Sequence, residues 1–182
     1  MIAKRHSTRL PNKNILNFKG KPMFQWNLEK LLNTFSCVVF DSDNPEMLNQ
    51  AVKLGAIPHE REKNLRGHNV PSVPIFKSIR DKYSKYSFII NVQANSPNVD
   101  ESTIYQVAKI AQNTKVNEIL TMYSDHSING SVWGISEHRL NNYKHYHDHK
   151  PDILILDNSP DIHTQLDFDN AHNLNNGFDI VR

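Results

Sequence analysis

Between Lys4 and Pro22 the chain reads KRHSTRLPNKNILNFKGKP, which sets Lys4, Arg5, Arg9, Lys13, Lys19 and Lys21 among Ser7, Thr8, Asn12, Asn14 and Asn17 with no acidic residue. Arginine offers a planar fork of donors and lysine a mobile point charge, and turn backbone around Pro11, Gly20 and Pro22 adds fixed amide dipoles. Residues of these types at this density can surround several phosphate oxygens at once. Composition alone also allows a solvated basic loop.

Further along, Asp41-Ser42-Asp43 closes the apolar run Cys37–Phe40. Carboxylates at the end of a parallel strand sit where open α/β sheets place their ligands. The alternative is an N-cap for a helix over 44–54, with Pro45 at its first position. Tyr143–His149 sets His145, His147 and His149 at alternate positions beside Asp148. On a strand that alternation would suit Zn²⁺ or Ni²⁺, whereas the flanking Asn141, Asn142, Lys150 and Pro151 point to an exposed loop. Gly20-Lys21-Pro22 lacks the spacing of a Walker loop, and neither a G-x-G-x-x-G fingerprint nor a Ser/His/Asp hydrolase elbow is present.

The elements that must position these residues follow from hydrophobic periodicity. The run 23–32 places Phe24, Leu28, Leu31 and Leu32 on one helical face, 46–54 reads as a helix closed by Gly55, and 75–82 as another. His59–His68 reads as a polar loop. Ser87–Val92 is the clearest buried strand; it runs into Gln93–Pro97 and is followed by an amphipathic helix over 101–112. Further strands are expected at 118–123, 131–135 and 153–156, and a last helix at 164–174 packing Leu166, Phe168, Ala171 and Leu174. Alternation of strand and helix at this spacing predicts a three-layer α/β/α domain with a mainly parallel, Rossmann-like sheet, spanning 1–182 as a single unit. Met1-Ile2-Ala3 is brief for a first strand, so either that strand is unusually short or it is truncated in this sequence.

At 182 residues the chain can bury one sizeable core. A net charge of +2 is too small to imply nucleic-acid binding, and the positive charge is concentrated before residue 22. Cys37 is the single cysteine, expected to be buried and inert, so no internal disulfide can form. No apolar stretch approaches the roughly 20 residues of a membrane span and no signal-peptide pattern is present, so a cytoplasmic location is the expectation.

Ser7-Thr8-Arg9-Leu10-Pro11-Asn12-Lys13-Asn14-Ile15, followed by Gly20-Lys21-Pro22 and an apolar helix, resembles the nucleotide-binding loop of the acylneuraminate cytidylyltransferase family. Later segments resemble the same family in its own order, across nearly the whole chain. They are Val38–Asp43, Arg61–Gly67, Val92–Pro97 and Asp161–Phe168. The resemblance implies a nucleotide-diphospho-sugar transferase fold and transfer of CMP from CTP to an acidic 2-keto-3-deoxy sugar for surface glycans, with Mg²⁺ as cofactor and a possible homodimer. It implies that Lys13, Arg9 and Ser7 form the catalytic phosphate loop. Lys4, Asn14, Lys21, Arg61 and Asp43 would contact the nucleotide. Gln93, Asn95, Ser96 and Asn129 would face the sugar, and Asp161 and His163 would stand at the metal position.

The chain departs from the family's pattern. Ala3-Lys4-Arg5-His6-Ser7 stands where Ala-Arg-Gly-Gly-Ser is usual, and His163 replaces a second metal-binding aspartate. Imidazole is a poor ligand for Mg²⁺. The metal could be held by Asp161 with Asp43 or Asp167, a softer metal could be used, or activity could be lost. The region 118–160 is short for a dimerisation and sugar-covering excursion. A degenerate nucleotide-binding protein of the same fold is therefore the alternative reading. A nucleic-acid-binding module is weaker, because Phe18 is the single Phe, Tyr or Trp among the basic residues 4–21.

Overall fold

The computed structural model describes residues 1–67, 69–145 and 148–174. Strand β1 (Ile2–Ala3) lies parallel to β4 (Val39–Ser42), and β4 lies parallel to β5 (Ile57–Glu60). Beyond the basic segment, β2 (Asn17–Phe18) and β3 (Lys21–Pro22) form a small antiparallel ladder leading into α1 (Met23–Thr34). Helix α2 (Pro45–Lys53) connects β4 to β5, and α3 (Ser72–Lys82) precedes β6 (Phe88–Val92). After α4 (Glu101–Asn113) come β7 (Glu118–Met122), β8 (Ile128–Ser136), α5 (Glu137–Asn141), β9 (Ile153–Leu156) and α6 (Gln165–Asn173).

The sheet has two halves. One runs β1-β4-β5 and is wholly parallel; the other runs β6-β8-β7-β9, with β8 antiparallel to both neighbours and β9 parallel to β7. They meet where the Ile2 amide of β1 donates to the Asn91 side chain of β6 at 3.2 Å. A continuous core crosses the junction and packs Phe24, Leu28 and Leu31 of α1, Phe40 of β4, Val92 of β6, and Ile104 and Val107 of α4. The α/β architecture is the one the periodicity predicts, with the parallel pairing interrupted by β8.

Several elements differ from expectation, each for a physical reason. Strand β4 begins at Val39 and takes in Asp41 and Ser42, both completely buried. Asp41 tolerates this because its carboxylate accepts from Arg61 Nε at 2.7 Å and pairs with His59 Nδ1 at 2.8 Å. A strand, β5, occupies Ile57–Glu60 where the polar residues from His59 onward suggest a loop. The N-cap of α2 is Asn44, whose side chain accepts from the Met47 amide at 2.9 Å, leaving Asp43 to accept the Arg5 amide at 3.0 Å. In α6, Phe168 and Ala171 pack inward, while Leu166 and Leu174 are exposed. Cys37 is half-buried. Trp133 is core, edge-on to Phe76, and its indole N–H donates to Glu118 at 3.0 Å. His149 packs against Trp133 and Tyr143, and His147 lies outside the described residues. Among the described residues no group of three His, Cys, Asp or Glu could hold a metal ion, and no helix is long and apolar enough to cross a membrane.

Removing one partner of a buried ion pair leaves the other charge uncompensated, at a cost of about 3–5 kcal/mol. Asp41→Ala would strand Arg61 and His59, so chemical denaturation of this variant should show a loss of that size. A change under about 1 kcal/mol would mean that Asp41 does not hold this end of β4.

Candidate active site

The basic segment starts at the end of β1, where β4 also ends, and the loop after β6 opens on the same edge. Asn12 takes a left-handed conformation (φ 55°) as the segment turns into a single 3₁₀ turn over Lys13–Ile15. Ser7 Oγ accepts the Leu10 amide at 3.4 Å, a local bond that shapes the turn. Asn14 is buried, and its amide nitrogen donates to the Lys4 carbonyl at 2.7 Å, holding the two ends of the segment together.

The last described part of the chain meets this segment. Lys13 Nζ donates to the Ile162 carbonyl at 2.8 Å and lies 3.5 Å from His163 Nδ1; Arg9 Nη2 reaches the same nitrogen at 2.6 Å. On the other side of the ring, His163 Nε2 pairs with Asp161 Oδ2 at 2.6 Å. Asn95 donates to Asp161 Oδ1, and the Asn95 carbonyl accepts the Ile162 amide at 2.9 Å. Three loops, from β1, β6 and β9, are thereby bound into one patch. Burial pushes the Lys13 ammonium down to about 8; Asp161 pulls it back up, while Arg9 and Lys4 push it further down.

Arg9, Lys13, Asn14, Asn95, Asp161 and His163 are thus brought together as a connected set. Other expected contacts are engaged elsewhere. Arg61 is buried with its guanidinium on Asp41 and the Ala3 carbonyl, the latter at 3.2 Å, so it braces the base of the basic segment. Lys21 pairs with Glu29 and sits over the Trp26 ring at 4.0 Å. Asn129 spends its amide on Thr121 at 2.6 Å, Ser131 at 3.1 Å and the Asp157 carbonyl at 2.6 Å. Gln93 donates to the Gly130 carbonyl at 3.1 Å. Among the described residues, Asn14 Oδ1 and Ser96 Oγ at this site are buried without a hydrogen-bond partner, and such groups carry a desolvation cost that a ligand can relieve.

The arrangement also depends on residues that the periodicity had hidden. Asn27, fully buried on α1, donates to the carbonyls of Gln93 (2.8 Å) and Ser96 (2.7 Å). Lys30, one turn on, donates to those of Pro97 and Val99, both at 2.7 Å. These side chains hold the loop that carries Asn95 and Ser96. An asparagine on the same face as Phe24, Leu28 and Leu31 was the signal available. A cavity of about 590 Å³ lies at the other end of the strands, lined by residues such as Val39, Phe76 and Ile89. It is mainly apolar and away from the charged patch.

The strands and helices form a fold of the nucleotide-diphospho-sugar transferase type. Superposition supports the fold. A CMP:2-keto-3-deoxy-manno-octonic acid synthetase complexed with CTP aligns with a TM-score of 0.74 at 15% identity, over 94% of each chain. Rv0371c from Mycobacterium tuberculosis, complexed with manganese, aligns at 0.68 and 12% identity, over 93% of this chain and 95% of that one. Residues 2–155 match the family described as Cytidylyltransferase, and the chain belongs to that family. A pseudaminic acid cytidylyltransferase from Campylobacter jejuni is 31% identical over 119 residues, 61% of this chain and 51% of the relative. A 3-deoxy-manno-octulosonate cytidylyltransferase from Colwellia psychrerythraea is 29% identical over 130 residues, 70% of this chain and 45% of the relative. The chain spans about half the length of these curated relatives.

Asn27→Leu keeps the branching at a larger volume and removes one donor from each of two carbonyls, which keep only the loop amides of Ser96 and Val99, at about 1–3 kcal/mol together. It should lower stability within that range and loosen Gln93–Val99, read as faster amide exchange confined to that loop. Uniform exchange with unchanged stability would show that the loop is held by other contacts.

Proposed function

We propose that this chain is a cytidylyltransferase, moving CMP from CTP to an acidic 2-keto-3-deoxy sugar with release of pyrophosphate for surface glycan synthesis. The observation that carries the reading is the convergence of Arg9 and Lys13 with Asp161 and His163, across some 150 residues of sequence, at the sheet edge where α/β folds bind ligands. In this reaction the sugar's anomeric hydroxyl forms a bond to the α-phosphorus while the bond to the β-phosphate oxygen breaks. Catalysis then rests on in-line positioning and on neutralising charge over the leaving pyrophosphate. Arg9 and Lys13 supply positive charge there, Asn14 Oδ1 is an open acceptor for a nucleotide donor group, and Asn95 and Ser96 face the sugar side. Acidic-sugar use rests on the relatives, both of which are named for such substrates. CTP places the proposed reaction in the cytoplasm.

The Mg²⁺ implied by the family would need lone pairs at Asp161 and His163. His163 does not fit as the second ligand of a two-ligand metal site, because Arg9 holds its Nδ1 and Asp161 its Nε2, whereas Asp161 keeps a lone pair on each oxygen beside its own contacts. No step is therefore assigned to a metal. The same observation favours a second reading, a nucleotide-binding protein without turnover.

A thermal-shift series with CTP, UTP, ATP and GTP tests the binding. At about 100 times its dissociation constant, a ligand specific for the folded state adds roughly 2.7 kcal/mol. Stabilisation by CTP above the others is expected, and equal shifts with all four would remove the cytosine preference. Pyrophosphate release in the presence of 2-keto sugar acids then separates enzyme from binder. The lysine gives a pH signature. A neighbouring triphosphate retains the Lys13 proton, whereas the free protein loses it as pH rises through about 8. CTP affinity should be full below that pH and fall above it, by up to about tenfold per unit. Lys13→Met should abolish the dependence.

A further inference from the structure

We infer that this site grips the nucleotide's triphosphate with side-chain cations alone and requires no divalent cation for binding. The inference rests on the site being a triphosphate site, as proposed above, and adds what neutralises the phosphates. A guanidinium has donors and no acceptor, so the 2.6 Å contact from Arg9 makes His163 Nδ1 the acceptor. The ring proton is then on Nε2, which donates it to Asp161 Oδ2 at 2.6 Å. Neither ring nitrogen presents a lone pair to a metal.

Each nearby carboxylate already holds a contact within the protein. Asp161 Oδ1 accepts from Asn95. Asp167 Oδ2 takes the backbone amides of His163 at 2.9 Å and Thr164 at 2.8 Å in the capping box of α6. Asp43 holds the Arg5 amide, and Asp41 is buried against Arg61 and His59. Among the described residues no three of these side chains come together as a metal site.

The charge balance points the same way. Lys13 feels Arg9 and Lys4 as like charges, with Asp161 and the capped Asp167 opposing them. Lys4, Arg9 and Lys13 are three positive charges around this point against two negative ones on Asp161 and Asp167. Such a field draws in a triphosphate and repels a free divalent ion. Arg9 now rests on a neutral imidazole nitrogen, and Lys13, bonded to the Ile162 carbonyl, has that nitrogen 3.5 Å away; both acceptors are weaker than a phosphate oxygen, so an arriving nucleotide can draw on both cations. His163 is in this sense a parking place for the phosphate-binding cations. An aspartate at 163 would pair with them permanently and would call for a metal to restore the balance.

Isothermal titration of the full chain with CTP, in EDTA and in Mg²⁺ at matched ionic strength, tests this. The two dissociation constants should agree within about threefold, a coupling of less than about 1 kcal/mol. Inorganic tripolyphosphate should compete in EDTA. His163→Asp should weaken CTP in EDTA by about tenfold or more and regain affinity with Mg²⁺ or Mn²⁺. Loss of wild-type binding in EDTA, with binding in Mg²⁺, would overturn the inference and leave the triphosphate site standing. Absence of binding in both buffers would remove that site and the inference together. The wild-type comparison decides the matter even if His163→Asp fails to fold. Mn²⁺ added to the nucleotide-free wild type provides a separate reading: its free-ion paramagnetic signal should be undiminished, and strong quenching would contradict the inference.

Discussion

The contact on which the site depends is the one between Lys13 and the backbone of Ile162, reinforced by Arg9 on His163. It joins segments at nearly opposite ends of the chain, and ordering either segment alone would cost conformational entropy with little return. An ammonium taken most of the way out of water needs such a partner, and the carbonyl supplies it. The cationic segment is held above the sheet edge as a result. Without that contact it would be the solvated basic loop that its composition allows.

A second constraint lies beneath it. Asp41, buried at the end of β4, gathers Arg61 and His59 from the region of β5, and Arg61 passes the restraint to the Ala3 carbonyl. The short β1 pairs with β4 only through Ile2 and Ala3, so this polar knot supplements a ladder that gives little hold of its own. On the other half of the sheet, Asn27 and Lys30 do comparable work from α1, by occupying carbonyls of the loop after β6. Loops carry the chemistry, and buried polar side chains on regular elements fix where those loops stand.

Within a family whose fold is kept, the charge at one position can change how phosphate is handled. His163 bonds to an aspartate on one side and accepts cations on the other, which is a different electrostatic device from a pair of carboxylates around a metal. The overall architecture is indifferent to that exchange, because the residues involved lie on loops beyond the ends of the strands.

Much of the architecture was legible in the sequence. The periodicity of α1, α4 and the buried run of β6 reflects burial of one face or of a whole strand, which leaves a local pattern. The basic segment and the residues at 161 and 163 were legible as candidates by type and by family resemblance. Strand β5 was hidden because His59 is polar, and only the distant Asp41 makes it a core residue. The resemblance named Arg61 and Lys21 as nucleotide contacts; in the fold Asp41 holds the first, and Glu29 with Trp26 the second. Leu166 and Leu174 had the right spacing for a core face, but the core lies on the side of Phe168 and Ala171. The sequence by itself determined the main helices, the buried strands and where positive charge is concentrated, since propensity and periodicity act over a few residues. Only the tertiary structure decided which charges meet. Pairing in a protein interior depends on distance in space, and residues 13 and 162 become neighbours only when the sheet is complete.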